Sequence, residues 1–285
     1  MNKLDIHTIK KFPKIELHCH LDGSVSGLQV YENVKLLGIN ATKDEILNKI
    51  IAPEICQDLT EYLSCFEWLT KCLKNPTLIF LAIEDICRQA IEENIFYLEL
   101  RFSPYHLSND KFTMKQVVEA VIEAVNKMKD KYPLKIGIIL CLMRGREESV
   151  NNQVIELANQ FRDKIVGLDL AGNESKYPTK MYLKQLALIN YFEIPFTIHA
   201  GETGDFDNIR DAILAGAKRI GHGIAAKKSE EVVSLIRERN ITLEMCPKCN
   251  IQTKASKNWN AYPFNTFYRK EKLLVTINTD NRTVS

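Results

Sequence analysis

The 285-residue sequence predicts an α/β protein: one (β/α)8 TIM barrel over 1–285, with a helical insert after the first strand. Three observations support that expectation. Short apolar runs and helical stretches take turns along most of the chain. The runs are continuous rather than alternating, as expected of strands covered on both faces. Histidines and carboxylates recur where those runs end, which is the face of such a barrel that carries chemistry. An open doubly wound sheet is the rival, but no Gly-rich turn follows the first strand.

The first strand is Lys14 to Leu21. Helical spacing then runs from Val25 to Gly38 through Leu28, Tyr31, Val34 and Leu37, and 42–50, 58–73 and 75–94 are expected to be further helices. From there strand 95–102 leads to helix 114–132, strand 134–142 to helix 147–162, and strand 165–170 to helix 179–192. Strands 195–198, 219–220 and 241–245 follow, with helices 208–215 and 229–239 between them, and 273–278 is the eighth strand. The chain stops at Ser285, five residues after Asp280, so the helix after strand 8 is expected to be missing. Apolar surface there would face water unless self-association covers it; the other readings are a fragment or a marginal fold.

Composition narrows the partners. The chain is 45% hydrophobic and 26% charged, as in a soluble globular protein, and a net charge of +2 argues against nucleic acid or acidic membrane. The first residues lack the apolar core of a secretory signal, and no run approaches the roughly 20 apolar residues of a membrane span. Eight cysteines scattered through periodic apolar segments read as reduced core residues, which implies a cytoplasmic address.

His18 and His20 lie two apart on the first strand, so both imidazoles leave on one face, with Asp22 just beyond. Gly172-Asn173-Glu174 follows strand 4 and His199-Ala200-Gly201-Glu202 follows strand 5. His222 ends strand 6, and Asp280-Asn281 ends strand 8. A lone histidine at a strand end is more often structural, but five such placements at one face reverse that reading. Three histidines and one aspartate can hold a zinc and leave a position open for water, whose pKa the metal would bring towards neutrality.

These motifs, in this order, resemble the adenosine/AMP deaminase family. The resemblance rests on His-x-His-Leu-Asp-Gly-Ser at 18–24, Asp-Leu-Ala-Gly-Asn-Glu at 169–174, His-Ala-Gly-Glu at 199–202, Gly-His-Gly at 221–223 and Asn-Thr-Asp-Asn at 278–281. It implies that His18, His20, His199 and Asp280 bind one Zn2+. It also implies that Glu202 protonates N1 of the purine, while His222 and Asp280 orient and deprotonate the attacking water. Asp22 would accept a hydrogen bond from a ribose hydroxyl, the Gly172 amide would meet N3, and Asn281, where relatives carry Asp, would offer an N–H to N7.

The implied reaction is hydrolytic deamination of adenosine and 2′-deoxyadenosine to inosine and 2′-deoxyinosine plus ammonia, a step of purine salvage. C6 is a poor electrophile until N1 is protonated, so Glu202 needs a raised pKa. AMP is disfavoured because no basic cluster stands beside the motifs. The alternatives are an adenine deaminase, another barrel amidohydrolase, or an inactive barrel that only binds zinc or nucleoside. Cys246 and Cys249, where relatives read Cys-Pro-Thr-Ser-Asn, are expected to be structural.

Overall fold

The computed structural model describes residues 5–285. Eight parallel strands form: β1 (Lys14–His20), β2 (Ile95–Phe102), β3 (Lys135–Met143), β4 (Gly167–Ala171), β5 (Thr197–Ala200), β6 (Arg219–His222), β7 (Thr242–Met245) and β8 (Leu274–Ile277). They pair in sequence order as two four-stranded sheets. Single bridges join the sheets, Leu168 to Phe196 between β4 and β5 and Cys19 to Asp280 between β1 and the residues after β8. The ring is therefore closed, as the sequence predicts.

The closing seam uses main-chain bonds. His20 N donates to Asp280 O (2.8 Å) and Asp280 N donates to His18 O (2.9 Å). Beside them, the Thr279 hydroxyl donates to Glu16 Oε2 (2.8 Å). Register places site residues side by side around the ring: His20 opposite Arg101, Cys141 opposite Asp169, and Ala200 opposite His222.

The outer helices follow from their apolar spacing. In Met114–Lys131 the buried set is Met114, Val117, Val118, Val121, Ala124, Val125 and Met128, one stripe at helical period. Thr113 and Gln116 close a capping box at its start.

Several boundaries differ from expectation. The stretch 58–73 is two short helices, Leu59–Ser64 and Phe66–Lys71, which meet at Cys65. A short helix, Pro247–Gln252, lies between β7 and β8, where the sequence assigns no element, with Pro247 fitting its first turn because no amide N–H is needed there. The helix Ile6–Lys11, capped by Asp5, was not expected either. The fifth strand is displaced to Thr197–Ala200, since Pro195 has no N–H to give to a ladder. Among the described residues no helix follows β8, and its Leu274 and Ile277 are 54% and 59% exposed. Among the described residues no helix is long and apolar enough to cross a membrane.

Candidate active site

The ends of β1, β5 and β8 converge. His18 Nε2 lies 3.1 Å from His199 Nε2, and His20 Nε2 lies 3.2 Å from the same atom. Asp280 Oδ1 stands 3.3 Å from His18 Nε2 and 3.4 Å from His20 Nε2. The opposite nitrogens of two of these rings are already engaged, His18 Nδ1 by Glu244 Oε2 (2.9 Å) and His199 Nδ1 by Asp169 (2.9 Å). An Nδ1–H donated to a carboxylate leaves Nε2 as a bare lone pair. The close contact between His18 and His199 therefore apposes two lone pairs rather than forming a hydrogen bond, an arrangement that calls for a cation between them.

Around a tetrahedral zinc with bonds of about 2.0–2.1 Å, ligand atoms stand roughly 3.3 Å apart. The four side chains fit that requirement. Burial holds His18 and His20 well below the ordinary imidazole pKa, so they are neutral ligands. His199 goes the other way, because Asp169 outweighs the effect of burial. A second grouping of His18, His222, Cys246 and Asp280 is also compact.

Beneath the histidines lies a charged layer. Arg101 is fully buried and donates to Asp169 Oδ2 (3.1 Å), Glu244 Oε2 (2.7 Å) and Leu17 O (2.6 Å). One guanidinium thus holds both carboxylates that orient the imidazoles. Arg219 Nε sits 2.7 Å from Glu244 Oε1, an ion-pair contact without hydrogen-bond geometry.

Two further side chains face the same point. Glu202 is buried, and burial followed by the nearby Asp280 pushes its carboxyl up to about 8, so it is protonated at neutral pH. Its loop is fixed by Glu174, whose carboxylate accepts the amides of Gly201 (2.8 Å) and Thr203 (2.6 Å). His222 Nε2 lies 3.6 Å from Glu202 Oε2, and its Nδ1 accepts from Asn250 Nδ2 (2.9 Å), an amide whose oxygen in turn accepts from the Tyr262 hydroxyl (3.1 Å). His222 and Asp280 both leave their strands with φ near +60° (64° and 61°). That left-handed backbone costs about 1–3 kcal/mol in a non-glycine residue and is characteristic of functional sites.

A cavity of about 280 Å³ opens over this cluster. Leu59, Tyr62, Leu63 and Phe66 of the insert line it, so the insert forms one apolar wall. Asp22, Gly172 and Asn281 line it as well. Asp22 Oδ1 is buried without a partner, an acceptor left over for a ligand hydroxyl. Asn281 Nδ2 donates one hydrogen to the Tyr62 hydroxyl (3.0 Å), and its Oδ1 has no partner. A second amide hydrogen remains available on Nδ2.

A Cβ on Gly23 would sit 1.8 Å from Asn281 Oδ1, so glycine is required for the close approach. Gly23→Ala is expected to displace Asn281, raising KM several-fold and costing about 1–3 kcal/mol of stability. Steady-state kinetics beside urea unfolding would check it; an unchanged KM would show that Asn281 does not touch the substrate.

The adenosine deaminase family model matches residues 13–285. An adenosine deaminase from Enterococcus faecalis is 39% identical over 280 residues, covering 97% of this chain and 83% of its own length. The chain belongs to the adenosine deaminase family. Solved structures agree in fold: an adenine deaminase from Arthrobacter aurescens superposes with TM-score 0.87 at 19% identity, covering 96% of this chain and 84% of its own. An amidohydrolase from B. ambifaria with bound Zn gives TM-score 0.87 at 18% identity, covering 99% and 79%.

Membership makes the protein a hydrolytic deaminase of a metal-dependent barrel family. Every site residue named from the sequence of this deaminase lies in the cluster or lines its cavity. Sequence reasoning gave no role to Arg101, Glu244, Asn250, or the Asp169 and Glu174 of a motif it quoted. Cys249, read from the sequence as structural, donates its Sγ–H to Glu202 Oε1 (3.5 Å). The departure from the expected Cys-Pro-Thr-Ser-Asn was the available signal, since it put a thiol in the place of a hydroxyl.

Proposed function

We propose that this deaminase hydrolyses adenosine and 2′-deoxyadenosine at C6, with zinc as its metal, giving inosine or 2′-deoxyinosine and ammonia for purine salvage. The observation that carries the reading is the buried Glu202 carboxyl, 3.6 Å from His222 Nε2 beside a nitrogen-rich cluster that could hold a metal, with burial pushing its pKa up. A divalent ion held by His18, His20, His199 and Asp280 would supply hydroxide at neutral pH. Glu202 gives its proton to purine N1, which draws electron density from C6 and makes it open to attack. His222, whose Nδ1 accepts from Asn250, turns Nε2–H towards the site and orients the attacking water, while Asp280 takes the water's proton. Gly172, held in the left-handed region (φ 103°), presents backbone to N3, and Asn281 meets N7. The leftover acceptor of Asp22 takes a ribose hydroxyl, which favours nucleosides over the free base.

The test is a rate comparison. Zinc-loaded protein should consume adenosine and deoxyadenosine, followed as absorbance loss, with kcat/KM on the order of 10²-fold or more above adenine, because adenine leaves Asp22 unpaired. Equal rates with adenine, or no turnover of any of the three, would overturn the assignment.

A further inference from the structure

One short helix serves both side chains that handle protons in this site. Pro247–Gln252 begins directly after β7, with only Cys246 between, and its neighbours Cys249 and Asn250 are buried. Successive residues of a helix point about 100° apart, so the two reach different strands. Cys249 Sγ donates to Glu202 Oε1 (3.5 Å), just past β5, and Asn250 Nδ2 donates to His222 Nδ1 (2.9 Å), at the end of β6. The helix is itself pinned: the Ser256 amide donates to Asn250 O (2.8 Å), and the Cys56 amide of the insert donates to Gln252 O (2.8 Å). Side chains on such a fixed element hold their partners more precisely than a loop would.

Each bond settles a choice that the chemistry depends on. The terminal torsion of a glutamate is broad, so a carboxyl without a donor can present either oxygen. Among the described residues Cys249 is the hydrogen-bond donor to the Glu202 carboxyl, and it takes Oε1. Oε1 then plays the carbonyl part, and the acid proton falls to Oε2, the oxygen 3.6 Å from His222 Nε2. A thiol is a weak donor, so it fixes the carboxyl without drawing it strongly into the carboxylate form. The imidazole of His222 has a similar choice between its two nitrogens. The Tyr262 hydroxyl donates to Asn250 Oδ1 (3.1 Å), which turns Nδ2 to the ring and leaves the imidazole hydrogen on Nε2. We infer that Cys249 and Asn250 are positioning residues for deamination, Cys249 setting which oxygen of Glu202 carries the proton and Asn250 which nitrogen of His222 carries the hydrogen. The inference rests on the acid and water-orienting roles proposed for Glu202 and His222.

Double-mutant cycles on zinc-loaded protein separate this positioning from plain structural support. Cys249→Ala should lower kcat on adenosine about 2- to 10-fold, the size of one weak hydrogen bond, with KM changed by less than about twofold. Cys249→Ser, which keeps a donor, should recover most of that loss. Asn250→Leu should lower kcat roughly 10- to 100-fold, as misplacement of a reacting group does. Made on Glu202→Gln, Cys249→Ala should cost nothing more, and the same holds for Asn250→Leu made on His222→Ala. Parent kcat in either single variant, or losses that multiply in full on those backgrounds, would overturn the inference. If Asn250→Leu does not fold, the Cys249 cycle alone decides. A Glu202→Gln protein with the parent rate sinks the acid role itself, whereas a slow Glu202→Gln beside an unaffected Cys249→Ala sinks only the positioning.

Discussion

Glu202→Gln is expected to lower kcat on adenosine by about 10²- to 10⁴-fold, the usual contribution of a positioned proton donor. Glutamine keeps the shape and can still donate a hydrogen bond to N1, but it has no proton to transfer. Binding of inosine should therefore change far less than kcat. The acid form does the work, so activity is complete at low occupancy of the carboxylate and is lost as pH rises through the Glu202 pKa. That value is about 8 for the residue among its protein neighbours, and a bound cation can only lower it, so the alkaline limb should fall at or below about 8. A pH–rate profile of both proteins measures this. A residual rate within tenfold of the parent would show that another group protonates the ring.

Arg101→Met should be the most destabilising single change in the barrel. It leaves Asp169 and Glu244 buried without their shared counter-charge, and breaking a buried ion pair in this way costs about 3–5 kcal/mol. Against a total stability of roughly 5–15 kcal/mol, that is a large fraction. The same change frees the two carboxylates that orient His18 and His199, so metal affinity should fall by about 10- to 100-fold. Urea unfolding of the variant, with competition against a chelator, reads both quantities. A loss under about 1 kcal/mol with unchanged metal affinity would mean that solvent or Arg219 replaces the guanidinium without cost.

The sequence made the ring of strands and the metal cluster visible because both are local signals repeated in order. Each strand announces itself as an apolar run, and each candidate ligand stands at or just past the end of one. The charged layer beneath was hidden because its partners are remote: Glu244 is 226 residues from His18 and 143 from Arg101. Arg101 in sequence looks like any charge near a strand end. Strand ends moved by two or three residues where Pro195 or a left-handed residue such as His222 decided the boundary, which hydrophobic periodicity does not register. Asn281 shows a further limit. Its residue type promised a donor, but Tyr62 from the insert takes one of its hydrogens.

The seam between β1 and the residues after β8 has a kinetic meaning. Its bonds run between His18, His20 and Asp280, and from Thr279 to Glu16, 263 residues away. Contacts so distant in the chain are slow to form, since loop-closure entropy opposes them. His18 and His20 belong to the first half-ring, and His199 and Asp280 to the second. Neither half can assemble the reaction centre alone. Chemical competence in this molecule therefore arrives with the final closure of the circle, and a chain caught half-folded is silent.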